Sequence, residues 1–387
     1  MTYVDGSVYY YAPNKVAPAI FAVLFAISGV VHFIQTWRYG SWRTTGLMPW
    51  AAILLTTGFA FREYGAFHYK NVDILIVNSV LIFSGPPVYA LINYMVLSRI
   101  LYYAPYLSPL HPGRVLTTFL AADLLCEVLL VNGVQRVVNT RFSDHQRSIG
   151  EDLVKAGLLM QAIFFIIFIM IGVTFQWKAT KAGVLNVKLQ RVLYVMYVSS
   201  LIITARCIYR IVEYFQGYTG QLFTHEVYFW VFEASLMWVN TAMLNVFHPG
   251  RSLPRSNKVF LAKDGVTELH GPGWKDDRNV LLTIFDPFDI GGLITGRDKK
   301  TKFWELSPQE LEALTEKDRI ERAERYARPR PAWRRFVDPF HLFDHTGKFQ
   351  RMFDWMDGEE PLTKATASSI LQSNKHKEGQ KEASLNV

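Results

Sequence analysis

From Val16 to Phe247 the chain is dominated by long apolar runs separated by short polar connections, and beyond His248 the pattern dissolves into mixed-charge sequence. A helix needs about 20 mainly apolar residues to cross the hydrocarbon core of a bilayer. Segments that meet this need are Val16–Trp37, Leu47–Phe67, Asp73–Leu97, Val115–Val134, Leu153–Trp177, Arg191–Val212 and Glu226–Phe247. Gly85, Pro86 and Pro87 interrupt the third. Proline costs about 3 kcal/mol in an ordinary helix interior, yet in a membrane bundle neighbouring helices or water satisfy the freed carbonyls. A kinked helix is therefore expected there, with a re-entrant turn as the alternative. The pattern predicts an all-α, polytopic membrane protein. Its seven-transmembrane-helix bundle occupies residues 16–247, between an extracellular segment at 1–15 and a mostly polar cytoplasmic tail at 248–387.

The tail has its own punctuation. Ser307-Pro308-Gln309-Glu310 reads as a capping box with proline at the first helical position. It predicts a solvated helix over about 308–328, ended by Arg328-Pro329. The polar stretch Thr363–Val387 is expected to be disordered. Phe285–Gly292 (FDPFDIGG) is a turn-rich apolar patch, a candidate for docking on the cytoplasmic face of the bundle.

Lysine and arginine in the connections orient the bundle. One side collects Arg38, Arg43, Arg99, Arg114, Lys178, Lys181, Lys188, Arg191, Arg251, Arg255 and Lys258. The other holds Lys15, Lys70, Arg136, Arg141 and Arg147, the last three offset by Asp144, Glu151 and Asp152. The bias places the N-terminus outside and the tail in the cytoplasm. Trp37, Trp42, Trp50 and Trp177 fall near predicted helix ends, where an aromatic belt belongs.

Composition narrows the class further. Of 387 residues 19% are charged, against about 25% in soluble domains. Two cysteines, both within apolar runs, exclude a disulfide scaffold and a four-cysteine zinc site. The opening MTYVDGSVYYYAPNK lacks the basic and apolar regions of a cleaved signal peptide. A net charge of +8 suits a membrane face on anionic lipid better than nucleic acid. No 20–50-residue repeat is visible, and an odd helix count is hard to divide into inverted repeats.

Charges at mid-membrane cost at least about 2.5 kcal/mol on insertion scales, so each one needs a reason. Asp123 and Glu127 stand four apart on the fourth helix; Arg206, Arg210 and Glu213 follow at spacings of four and three on the sixth. Glu226 and Glu233, seven apart, share a face of the seventh, and Arg62 and Glu63 end the second. With the N-terminus outside, all of these except Asp123 fall in the outer half, where five carboxylates face three arginines. They are expected to compensate one another around a wet, outward-facing cavity. The plainer alternative is that Arg206 or Arg210 pairs with Glu226 or Glu233 and locks two helices. A carboxylate left over would be desolvated and able to carry a proton; Glu127 and Glu233 are the candidates. The substrate-binding or translocation set is thus Glu63, Asp123, Glu127, Arg206, Arg210, Glu213, Glu226 and Glu233.

Motifs for other chemistry are absent. There is no phosphate-binding GxxxxGK[ST] loop, no dinucleotide fingerprint around Gly85 or Gly133, and no second histidine to complete HExxH after His225-Glu226. His32 and His225 belong to opposite predicted depths, which disfavours a shared zinc. Neither cofactor nor catalytic residue is expected. The run Tyr228–Phe232 (YFWVF) reads most simply as lipid-facing or interfacial packing, with the lining of a lipid-tail path as the alternative.

The stretch Ala205–Gly250, ARCIYRIVEYFQGYTGQLFTHEVYFWVFEASLMWVNTAMLNVFHPG, resembles the signature of the fungal RTA-like, lipid-translocating exporter family. The match runs through Tyr209-Arg210, Glu213, Gly217, Gly220, Glu226, Phe229, Phe232 and His248-Pro249-Gly250. Weaker matches at Tyr11-x-Pro13, Tyr94 with Arg99, Asp123 with Gly133, and Gly157 with Gln161 extend it over most of residues 11–250. The acidic position of the seventh helix, usually aspartate, is Glu233. Leu130 stands where glutamine is usual, Glu127 is extra, and Arg62-Glu63-Tyr64-Gly65 displaces the arginine of the usual second-helix ending. The resemblance implies seven transmembrane helices, a fungal plasma membrane and transbilayer movement of amphipathic lipids such as sphingoid long-chain bases, with tolerance to toxic amphiphiles. Membrane lipids and an amphipathic substrate are then the partners, while oligomeric state is open. A seven-helix receptor or sensor signalling through the tail is the alternative. An intramembrane lipid hydrolase would need a metal or nucleophile that the sequence does not supply.

Overall fold

The computed structural model describes residues 11–138, 142–217, 220–274, 302–328, 347–356 and 362–385. Phe285–Gly292 lies outside them. Among the described residues, seven helices are long and apolar enough to cross a membrane, and the protein is an all-α, multi-pass membrane protein. The chain divides into two compact units, the first holding the bundle and the second comprising Tyr102–Tyr106, Pro254–Lys275 and Gly296–Val387.

Helix α1 (Ala17–Tyr39) shows why lipid is the solvent. Ile20, Val23, Ile27, Val30, Ile34 and Trp37 project outward at helical spacing and are half-exposed or more, whereas Phe25, Ser28, His32 and Thr36 face inward. That polarity would be unsustainable in water and is the expected one in hydrocarbon. Gly40 ends the helix in the left-handed region (φ 60°), its N–H bonding the Thr36 carbonyl. The second span begins in a short turn, α2 (Trp42–Thr45), and continues as α3 (Leu47–Gly65). Helix α4 (Val72–Tyr103) runs unbroken through Pro86 and Pro87, so the third span is a helix and not a re-entrant turn. Gly85 has a packing reason: a Cβ there would lie 2.6 Å from Leu55 Cδ2 of α3.

Helices α5 (Pro112–Val138) and α6 (Asp144–Lys181) cross at glycines. A Cβ on Gly133 would meet the Gly150 carbonyl at 2.7 Å, and one on Gly150 would meet the Gly133 carbonyl at 2.9 Å. Small residues let backbones approach where no water drives association. Helix α6 is about 57 Å long at 1.5 Å per residue and overruns the predicted Leu153–Trp177 at its polar start, where the Ser143 hydroxyl caps it by accepting from the Gln146 N–H. Helix α7 (Val187–Gln216) is capped likewise by Asn186. The seventh span is composite: after a short α8 (Gln221–Thr224) come α9 (Glu226–Phe229), a π-helical stretch Trp230–Ser235, and α10 (Leu236–Val246). Trp37, Trp50 and Trp177 are exposed at span ends. The bundle core is aromatic, with Tyr94, Phe119, Phe165 and Phe168 packed at ring separations of 5.0–6.1 Å.

The second unit is water-like in composition. Strands β1 (Val259–Leu261) and β2 (Glu268–His270) form an antiparallel hairpin in which Val259 opposes His270. Asp264 organises its turn by accepting from the Val266 and Thr267 N–H groups at 2.9 Å, which holds its carboxyl below the ordinary aspartate range, with the Thr267 hydroxyl the strongest contributor. Burial, reinforced by Asp264, pushes the Tyr106 phenol up to about 12, and it donates to the Ala262 carbonyl. Helix α11 (Pro308–Ala327) begins at Ser307 with both bonds of a capping box in place. Helix α12 (Lys348–Met356) precedes α13 (Lys364–Leu385). The last corrects the expectation of disorder after Thr363: Ala367 and Ile370 bury themselves with Ala323 and Leu362 against Ile320, so a small apolar seam orders a segment whose composition is otherwise polar.

Candidate functional site

The intramembrane charges separate into an ion-paired network and a leftover set. Arg62, at the end of α3, is buried and donates from Nη2 to Glu226 Oε1 at 3.0 Å. The second oxygen of Glu226 accepts the Asn14 backbone N–H at 2.8 Å. Arg62 Nη2 also donates to the Tyr11 hydroxyl at 2.6 Å. Burial raises the Tyr11 phenol above its ordinary value despite Arg62, so it stays neutral and can accept. The segment before α1 is thereby tied to α3 and α9.

A larger knot lies between α7 and the π-helical stretch. Glu233 accepts from Arg206 Nε at one oxygen and from Arg210 Nε at the other, both at 2.7 Å. Arg210 turns its Nη1 to Glu213 at 2.5 Å, and Glu213 accepts the Tyr209 hydroxyl at 2.8 Å. All four charged groups are buried. Phe229 bridges the two sets, its ring centre 4.0 Å from the Arg62 guanidinium and 5.9 Å from that of Arg210. Phe83 covers Arg210 at 4.3 Å. Such cation–π contacts gain strength when desolvated.

This corrects two expectations. Arg62, Arg206 and Arg210 meet Glu213, Glu226 and Glu233, so the network itself is closed ion pairing, the plainer alternative for Arg206 and Arg210 with Glu233, and the excess of carboxylate lies outside it at Glu63 and Glu127. Glu233 is no free proton carrier, because two guanidiniums hold it. The shared face of Glu226 and Glu233 is also altered. The π-helical turn carries more residues than an α turn, and Glu226 serves α3 while Glu233 serves α7.

The leftover carboxylates are Glu63, Asp123 and Glu127, none of which makes an ion pair among the described residues. Glu127 is half-buried, accepts the Ser84 hydroxyl at 2.8 Å and lies within electrostatic reach of Arg206. Asp123, one turn earlier on α5, is buried; one oxygen lies 3.4 Å from the Tyr94 hydroxyl, and the other has no hydrogen-bond partner. Glu63 also keeps one buried oxygen without a partner. At the opposite end of the bundle, His32 lies against His248 with ring centres 6.3 Å apart, not against His225. Among the described residues no three His, Cys, Asp or Glu side chains gather as a metal site.

Ser84, Asn14 and the aromatic cover Phe83 carry no signal in the sequence, while Phe229, expected among lipid-facing or interfacial aromatics, is instead buried between Arg62 and Arg210. Tyr11 and Tyr94 were signalled by the family resemblance. A hydroxyl or ring carries no signal of its own until the helix facing it is known.

A seven-span bundle with an ion network joining its second, sixth and seventh spans defines the class as a polytopic helical membrane protein with a polar intramembrane site. The model of the RTA1-like protein family matches residues 48–256, and the chain belongs to that family. It is 36% identical over 329 residues to a lipid-translocating exporter-like protein RTA1 of Leptosphaeria maculans, covering 79% of this chain and 62% of that protein. It is 33% identical over 276 residues to a protein of the same name from Ajellomyces capsulatus, covering 67% and 85% of the two chains. A sphingoid long-chain base transporter of Saccharomyces cerevisiae is 24% identical over 311 residues, or 70% of this chain and 81% of that one. No solved structure matches the chain.

Proposed function

We propose that the protein translocates amphipathic lipids across a fungal plasma membrane, with sphingoid long-chain bases as the substrate class and tolerance to toxic amphiphiles as the consequence. The names borne by its relatives support a lipid cargo. The observation that carries the reading is the separation of charges within the bundle. Three arginines neutralise three glutamates and brace the helices, which leaves Asp123 and Glu127 one turn apart and outside any ion pair among the described residues. A long-chain ammonium supplies the missing charge while its tail stays in lipid or among aromatic side chains. The reading takes the N-terminus as extracellular and the tail as cytoplasmic, following the basic connections, and assigns the protein no catalytic step.

The test is reconstitution of the full chain in liposomes with a labelled sphingoid base, with phospholipid and sterol as comparisons. The wild type moves the base preferentially. Asp123→Asn with Glu127→Gln reduces the rate by about ten-fold or more, as expected for loss of a charge-assisted contact. An unchanged rate in the double variant would remove these carboxylates from the site. Ligand-dependent partner recruitment without lipid flux would favour a sensor.

A further inference from the structure

The seam between α7 and α10 opens into a groove of about 490 Å³ at the end of the bundle away from the ion network. That volume falls within the range of small-molecule sites. Its walls are apolar, with Val195 and Val198 on α7 facing Met243 and Phe247 at the end of the seventh span. Its rim is polar. Gln190 and Arg191 lie within one turn of the start of α7, and Gln190 donates to the Tyr194 hydroxyl at 3.2 Å. From Val187 to Val198 the helix rises about 16 Å, half of a hydrocarbon core about 30 Å thick. The groove thus has the height of a single leaflet, with its polar end where headgroups lie.

Charge identifies the occupant. Arg191 is exposed and makes no ion pair among the described residues. Lys178 and Lys181 close α6, and Lys188 stands one residue inside α7. No aspartate or glutamate occurs between Asp152 and Glu213. Four cations therefore ring the adjoining connection with no acid from α6 or α7 to neutralise them. This differs from the ion network, where each arginine has its carboxylate.

We propose that this groove is a binding site for an anionic phospholipid of the adjacent leaflet, with one acyl chain against Val195, Val198 and Met243 and its phosphate-bearing headgroup held by Arg191 and Lys188. The site is separate from the carboxylates assigned to the cationic cargo and opposite in charge preference. It holds a resident lipid in the seam between two spans that also carry the ion network.

Purified full-length protein, delipidated and titrated with phosphatidylserine or phosphatidylcholine, tests this by native mass spectrometry. Phosphatidylserine is expected to be retained in preference to phosphatidylcholine. Arg191→Gln and Lys188→Gln should each lower that preference about five-fold, at roughly 1 kcal/mol per basic residue, and Arg191→Lys should retain most of it. Val198→Trp, which fills the groove from a lipid-facing position, should release the lipid with Arg191 at the rim and the neighbouring Lys188 both intact. Equal retention of the two lipids, or binding unaffected by the two glutamine variants, overturns the headgroup assignment. Binding unaffected by Val198→Trp overturns the groove as its seat, and displacement by millimolar inorganic phosphate overturns the lipid as occupant. The glutamine variants alter exposed side chains, so their melting temperatures should match the wild type; a large loss of stability would instead assign those cations to the fold and overturn the proposal.

Discussion

The bundle and the second unit use the same chemical pair, a basic side chain on a carboxylate, in two solvents. Arg206 and Glu233 approach to 2.7 Å with 2% and 1% of their side chains exposed, whereas Arg319 and Glu316 approach to 3.5 Å with 61% and 41% exposed. In the second unit water competes for both charges and salt screens them, so such a pair contributes about 0–1 kcal/mol. Inside the bundle neither partner can return to water, and the loss of one leaves the other stranded. An ion pair in the first region is thus a condition of assembly, while in the second it is decoration on a helix held by its cap and its apolar seam.

The sharpest break is Glu233→Gln. It leaves Arg206 and Arg210 buried with only Glu213 between them, and the expected cost is about 3–5 kcal/mol. The detergent-solubilised variant should melt far below the wild type or fail to accumulate, and wild-type melting would refute closed pairing. Next in size is the coupling of Arg62 and Glu226. Each single glutamine variant should destabilise strongly and the double variant should recover part of the loss, with a coupling of about 1–3 kcal/mol in a double-mutant cycle. Additive losses would mean that the two charges act separately, despite their 3.0 Å contact.

Much of this is legible in the sequence because hydrocarbon imposes simple rules. Span count follows from run length, and charges inside spans are rare enough to stand out individually. The family resemblance extended the reading to Tyr11 and Tyr94. Pairing was less legible. Spacing placed Glu226 and Glu233 on one face, and the π-helical turn at Trp230–Ser235, which no residue type announces, re-aimed them toward different helices. The surplus of carboxylate was a count over depth, and depth does not say which groups touch. In the tail, composition suggested disorder beyond Thr363, yet Ala367 and Ile370 suffice to seat α13 on α11.

Between the extremes lies Lys258–Asp318, a 3.0 Å pair in the second unit with the carboxylate largely covered and the ammonium partly exposed. Asp318→Asn should cost on the order of 1 kcal/mol, less than any loss in the ion network and more than Glu316→Gln, for which a change within about 0.5 kcal/mol is expected. Hydrogen exchange of α11 in the full chain would rank the two variants. A Glu316→Gln effect as large as that of Asp318→Asn would erase the gradient of burial on which the comparison stands.

The smallest effect is also the one with a defined pH window. Glu310 in the capping box accepts the Ser307 backbone N–H at 2.9 Å and the Ser307 hydroxyl at 2.8 Å, and these bonds, the backbone one foremost, hold its carboxyl below the ordinary glutamate range. A depressed folded-state value means that the unfolded chain binds the proton first. The contribution to the helix is therefore complete above the ordinary glutamate value of about 4.3 and is lost as pH falls through the depressed folded value. Amide exchange in the first turn of α11 should quicken over that acidic interval, and Glu310→Gln should flatten the response while the later turns keep their protection. The carboxylate is fully exposed, so this loss should fray one turn without unfolding the unit. Acid unfolding of the whole of α11 through Glu310 alone would show that an exposed charge here bears structural weight of the kind the comparison reserves for the membrane interior.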